Sequence, residues 1–346
     1  MIIWLAALEN VIFHSKLGSE GDLIKRISSL SQDLAITTRA DQNEVLQAAQ
    51  IAKADLSSEM VYEFPELQGL MGRYYSTQAG FSPAVAAASE EHYSPLGPSD
   101  DVPTAPVSVT IALADKLDKL AGFWAIDEKP TGSKDPFALR RAALGVIRLL
   151  VENDLALPLL AVIGKADKRA DAANLLSFLH DRLKVYLREQ GIGHDVIDAC
   201  LAGEGSDDLN RLVKRAKALN DALQTEDGTN LVQGFKRANN ILTQAEEKDG
   251  VEYSFGADPK FAKDDAEKSL FAALEHADGA IKPALATDDF ANAMIAMAGL
   301  RAPIDAFFEA VQVNSDNEII RRNRLNLLSR IRATIGSVAD LSQIEG

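Results

Sequence analysis

No stretch of this chain alternates apolar and polar residues for the length of a strand. Its apolar residues return at helical spacing instead. Residues 107–123 read as a buried helix that nonetheless carries Asp115, Lys116 and Asp118. Residues 175–189, 196–201, 209–223, 264–276 and 287–298 read as amphipathic helices. Asp41 with Glu44 has the spacing of a capping box, and Asp135 followed by Pro136 predicts a helix over residues 137–151. Pro- and Gly-rich residues 94–103 are a loop by composition. The fold class is therefore all-α, with a domain boundary near residues 153–165.

The least generic segment is Glu63-Phe64-Pro65-Glu66-Leu67-Gln68-Gly69-Leu70-Met71-Gly72-Arg73-Tyr74-Tyr75. Pro65 suits the first turn of a helix. Gly69 and Gly72 would then share one face, each at a cost of about 1 kcal/mol relative to Ala. That cost points to close approach by another backbone or a ligand. Tight helix packing and a partner-docking surface are the two readings.

A formal net charge of −15 excludes a protein that coats nucleic acid through bulk charge. The single cysteine, Cys200, excludes an internal disulfide and fits a reducing cytoplasm as a buried small hydrophobe. The apolar start, Met1 to Leu8, is too short to span a bilayer and lacks the basic flank of a signal peptide. His14, His92, His180, His194 and His276 show no zinc-binding spacing. Residues 130–134 lack the glycine spacing of a phosphate loop. Arg140, Arg141 and Arg148 line one side of their helix, either as a solvated face or as a phosphate-contacting one.

Three short motifs lie on three predicted helices: Lys53-Ala54-Asp55, Glu91-His92-Tyr93 and Ala114-Asp115-Lys116. They resemble the HD domain, an all-α module whose active members hold a divalent metal. By that resemblance Asp55 and Asp115 fall on its two aspartates, and His92 on a further histidine position. Ala54 replaces the histidine of the His-Asp pair. The resemblance thus implies a degenerate site, with no catalytic residue and no metal.

Longer motifs follow in order: Lys53 to Leu56, Glu63 to Tyr75, Leu113-Ala114-Asp115-Lys116-Leu117-Asp118, and Pro130 to Arg141. Lys236-Arg237-Ala238-Asn239-Asn240-Ile241-Leu242, Leu300 to Glu309, and Arg322-Asn323-Arg324-Leu325-Asn326-Leu327-Leu328 complete the set. Over nearly its whole length the chain resembles the C-terminal portion of the β subunit of the bacterial tetrameric glycyl-tRNA synthetase. The resemblance implies an HD-like domain at 1–155, a helical body at 156–228 and a DALR-type anticodon-binding bundle at 229–346. It implies glycine tRNA and the synthetase α subunit as partners, a cytoplasmic location and no membrane. ATP and magnesium would act on the α subunit, leaving no cofactor here.

RNA reading by such a bundle combines cations with planar stacking groups. Residues 321–332 are the most basic segment of an acidic chain, and Asn323 and Asn326 offer base-edge donors and acceptors. The candidate tRNA-binding residues are Lys236, Arg237, Arg321, Arg322 and Arg324. The family motif equally accounts for Arg324 as a packing residue. Two other functions fit parts of the chain: a metal-dependent phosphohydrolase on Asp55, His92 and Asp115, and an α-subunit docking module on Gly69 and Gly72.

Overall fold

Ser19 sets the first long helix. Its hydroxyl accepts from the Asp22 N–H, and the Asp22 carboxylate accepts from the Ser19 N–H. The computed structural model describes residues 2–203 and 205–345. Before Ser19 come α1 (Ile2–Ala7) and a hairpin of β1 (Ile12–His14) and β2 (Gly18–Ser19), strands too short to announce themselves by alternation. Everything else described is helix, turn or loop, so the chain is all-α but for this hairpin.

The fold divides into two units. The first runs through Tyr186 and takes in Asp207–Asn210. It holds α2 (Glu20–Thr38), α3 (Gln42–Ile51), α4 (Glu59–Glu63), α5 (Leu70–Gln78), α6 (Pro83–Glu91), α7 (Pro106–Ala125), α8 (Leu139–Glu152) and α9 (Leu159–Ala166). The division falls within α10 (Ala172–Glu189). Helix α7 is the axis, buried along most of its length and packed on α2, α3, α6, α8 and α9. Ile111, Leu113, Leu117 and Leu120 have no exposed surface. Each buried side chain of that size contributes roughly 1.5–3 kcal/mol.

Two local expectations are corrected. Asp135 caps α8, accepting from the N–H groups of Leu139 and Arg140, but Ala138 takes a left-handed φ of 55° and the helix starts only at Leu139. The segment from Glu63 to Tyr75 is not one helix. Pro65 opens a single 3-10 turn, Pro65–Leu67, and Gly69 adopts φ +81° before α5 begins. Only Gly72 is helical.

The second unit takes Leu187–Ser206 and what is described from Arg211 onward. It holds α11 (His194–Leu201), most of α12 (Leu209–Leu223), α13 (Glu226–Asp249), α14 (Asp265–Ala286), α15 (Phe290–Ala298), α16 (Arg301–Ala310) and α17 (Glu318–Gly336). Helices α13 and α14 each pack on α15, α16 and α17. Cys200 is fully buried in α11, where burial pushes its thiol pKa up to about 12.

Candidate functional site

The three motifs of the first unit do converge, but around a lysine. Lys53 Nζ lies 3.0 Å from Asp115 Oδ1 and 3.1 Å from His92 Nε2, with the ring centroid of Tyr93 at 4.5 Å. His92 has no exposed surface, and its Nδ1–H donates to Ala88 O at 2.9 Å, so Nε2 is the acceptor facing Lys53. Burial first, then the Lys53 charge, push the His92 pKa down to about 3, keeping the imidazole neutral. Burial opposes the charge of Asp115, yet Lys53 at contact holds its pKa down at about 2. Burial likewise opposes the Lys53 charge, but Asp115 outweighs it and holds the ammonium above its ordinary pKa.

Lys116, the next residue of α7, is spent on the end of α6. Its ammonium donates to the carbonyls of His92, Tyr93 and Ser94 at 3.1, 3.1 and 3.0 Å. A cation at a helix C-terminus satisfies carbonyls that have no helical partner. Burial pushes its pKa down to about 8.

Asp55 has no direct bond to this group. Its Oδ2 accepts from the N–H of Gly69 at 2.6 Å and of Gly72 at 3.1 Å, an anion seat at the start of α5. Burial raises its pKa against those two donors. The glycines are now explained. A Cβ on Gly69 would meet the Tyr93 ring at 2.9 Å, and one on Gly72 would meet the Asp55 carboxylate and Ser89 at 3.2 Å. Both glycines are buried, so of the two readings the packing one holds and they form no exposed docking patch.

Among the described residues, no three of His, Cys, Asp and Glu are grouped to hold a metal. Asp55 Oδ2 is committed to backbone donors while its Oδ1 is buried without a hydrogen-bond partner, and the Lys53 ammonium stands between His92 and Asp115. These residues do not fit the divalent metal that active HD domains hold. Lys53, Asp115 and Tyr93 line a cavity of about 340 Å³, along with Glu20, Lys119 and Arg141. Of the other arginines of α8, Arg148 is buried and bound to Glu152 and the Gly97 carbonyl, and Arg140 donates to the Gly132 carbonyl.

In the second unit the five candidate cations separate. Arg324 is locked against the buried Glu267 at 2.7 Å and donates to Gln312 O. Arg321 pairs with Asp249 at 2.7 Å and reaches the Tyr253 hydroxyl. Their neighbours Arg330 and Arg332 pair with Asp278 and Glu246. Asn323 and Asn326 are buried, not offered to a base, and Asn323 pins the backbone of Asp258.

Lys236, Arg237 and Arg322 have no acidic partner among the described residues. Lys236 lines a cavity of about 330 Å³ with Asn220, Gln224, Thr229 and Gln233. The Arg237 guanidinium lies 4.5 Å from the Phe308 ring, in a second hollow that also contains Asn230 and Gln233. Arg322 lies 5.7 Å from the ring of Phe255, a side chain 81% exposed.

A family model described as glycyl-tRNA synthetase beta subunit matches residues 2–202. The chain belongs to the glycyl-tRNA synthetase beta subunit family. A model of the DALR anticodon binding domain matches residues 231–345. Among curated relatives, the glycine–tRNA ligase beta subunit of Ruegeria sp. (strain TM1040) is 68% identical over 343 residues, covering 99% of this chain and 50% of the relative. That of Paracoccus denitrificans (strain Pd 1222) is 64% identical over 346 residues, covering 100% of this chain and 50% of the relative. The chain thus spans about half the length of these glycyl-tRNA synthetase beta subunits. No described helix is long and apolar enough to cross a membrane.

Sequence reasoning missed Lys53 as the centre of the first group. The signal was present, a lysine inside one of the three converging motifs, but its partners lie 39 and 62 residues away.

Proposed function

We propose that this chain is the tRNA-binding part of a glycyl-tRNA synthetase beta subunit, with no amino-acid chemistry of its own. It supports ATP-dependent charging of glycine tRNA in the cytoplasm by a catalytic α subunit, where ATP and magnesium act. The observation that carries this reading is that three of the five candidate cations in the DALR-matched region are unpaired. Lys236, Arg237 and Arg322 lack acidic partners, and both arginines lie against aromatic rings. Planar cation–aromatic pairs, that of Arg237 beside Asn230 and Gln233, suit unpaired bases, which stack on such groups and hydrogen-bond at their edges. Arg321 and Arg324 are held instead in ion pairs with Asp249 and Glu267.

The α subunit remains the proposed protein partner, although Gly69 and Gly72 are not its seat. Tyr62 and Tyr74, 86% and 63% exposed on either side of the 3-10 turn, support a protein-facing surface there. The phosphohydrolase alternative has no support in the geometry around Lys53.

Footprinting of glycine tRNA tests the proposal. The complete subunit, assembled with its α subunit, should protect the anticodon loop, and the same assembly lacking residues 231–345 should lose that protection alone. Undiminished anticodon-loop protection without those residues would contradict it.

A further inference from the structure

We infer that the cavity beside Lys53 binds a small phosphate monoester bearing hydroxyl groups, its phosphate held by Lys119 and Arg141 and a hydroxyl by Glu20. The lining is cationic in a chain whose net charge is −15. Lys53, Lys116, Lys119 and Arg141 stand against two carboxylates, Glu20 and Asp115. Two of these cations are committed. Lys53 neutralises Asp115, and Lys116 donates to three carbonyls. Lys119 and Arg141 have neither a hydrogen bond nor an ion pair among the described residues.

Each of these free cations sits where an anion is missing. Lys119 follows Asp115 by one turn of α7, the spacing of a helical ion pair, but Asp115 is bound to Lys53. Burial, above all, lowers the Lys119 pKa, and the Arg141 charge acts in the same direction. Arg141 lies in the first turn of α8, where the helix dipole opposes a cation and favours an anion. That turn carries no acidic residue, and the Asp135 carboxylate before it is taken by the N–H groups of Leu139 and Arg140. A phosphate between Lys119 and Arg141 relieves both, and the arginine fork matches its oxygens. Ala138 and Ala142, on the same face of α8 as Arg141, line the cavity and leave room for it.

Two more groups describe the rest of the ligand. The Tyr93 hydroxyl lines the cavity, buried without a hydrogen-bond partner, and burial pushes its pKa up to about 12, so it keeps a proton to donate. Glu20 Oε2 is also buried without a partner, and a ligand hydroxyl supplies one. Buried polar atoms are rarely left unpaired, and here two face one cavity. Phe13, Leu23, Leu56 and Leu96 make the remaining wall apolar. The volume of about 340 Å³ is that of a small-molecule site, open to solvent beside Leu96, which is 58% exposed.

The test titrates ribose 5-phosphate and AMP into the complete subunit alone by calorimetry, with ribose and adenosine as phosphate-free probes. Each ester should saturate one site per chain, with an affinity that falls as salt rises. The phosphate-free probes should bind at least about tenfold more weakly. Arg141→Ala and Lys119→Ala should each weaken the esters about tenfold without lowering Tm, since neither side chain has a partner to lose. Arg140→Ala should change nothing, because Arg140 donates to the Gly132 carbonyl instead. AMP bound more tightly than ribose 5-phosphate would support a nucleotide as the ester, and equal affinities a sugar phosphate. Absence of saturable binding would overturn the inference, as would esters held equally well by the folded Lys119→Ala and Arg141→Ala proteins. Should those variants not fold, phosphate-free probes bound by the wild type as tightly as the esters would overturn it.

Discussion

Arg324 Nε donates to Glu267 Oε1 at 2.7 Å, and its Nη2 reaches Oε2 of the same carboxylate at 3.3 Å. Glu267 is almost wholly buried, and its carboxylate also accepts from the N–H groups of Lys263 and Asp264 at the start of α14. Breaking a buried pair from one side strands the other charge, at about 3–5 kcal/mol. Arg324→Ala should therefore lower the stability of the second unit by that order in urea unfolding. Any loss of tRNA affinity should track the fraction unfolded. A stable Arg324→Ala protein with weakened tRNA binding would instead place Arg324 at the RNA.

His92 links the first unit to pH. Its folded pKa is pushed down to about 3, against 6.5 ordinarily. Between those values the unfolded chain binds a proton that the folded chain refuses, so stability rises with pH there and is lost as pH falls. By pH 5 the loss from this residue is about 2 kcal/mol relative to neutral pH. His92→Asn should be less stable at neutral pH but show a shallower decline between pH 6.5 and 5. Parallel curves for the two proteins would remove His92 as the source.

The anion seat of Asp55 separates geometry from charge. Asp55→Ala leaves the N–H groups of Gly69 and Gly72 buried without their acceptor, at about 1–3 kcal/mol each. Asp55→Asn keeps an oxygen in place and should cost distinctly less, since burial already disfavours the charged carboxylate. Equal losses in thermal unfolding would show that the charge, not the acceptor, holds α5.

Gly69→Ala combines a left-handed φ with a Cβ at 2.9 Å from the Tyr93 ring. It should destabilise the first unit by about 1–3 kcal/mol. Gly80→Ala supplies the control, because its φ is +85° and its Cβ would meet nothing. The excess of the first loss over the second, read from urea midpoints, measures the packing against Tyr93.

Helix existence was legible because it is local. Residues 209–223, read from periodicity alone, coincide with α12. Proline and glycine were less informative. Pro65 satisfies the first turn of a 3-10 segment as well as that of an α-helix, and nothing in the letters says that Gly69 has φ +81°. The pairing of the arginines was hidden for a related reason. Residues 321–332 look unneutralised along the chain, yet Asp249, Glu267, Asp278 and Glu246 meet them from 52 to 86 residues away. Charge counted along a segment cannot see partners that only packing delivers. Lys236, Arg237 and Arg322 emerged as the unpaired ones among the five candidates only once those partners were in place.

The salt dependence of glycine tRNA binding tests the account most directly. The complete subunit is compared with its Lys236→Ala/Arg237→Ala/Arg322→Ala form, after circular dichroism shows both folded. Each lost phosphate contact lowers the slope of log affinity against log salt by about 0.7 on single-stranded RNA. The account predicts weaker binding with a slope shallower by up to about 2. Unchanged affinity and slope in the folded triple variant would contradict it.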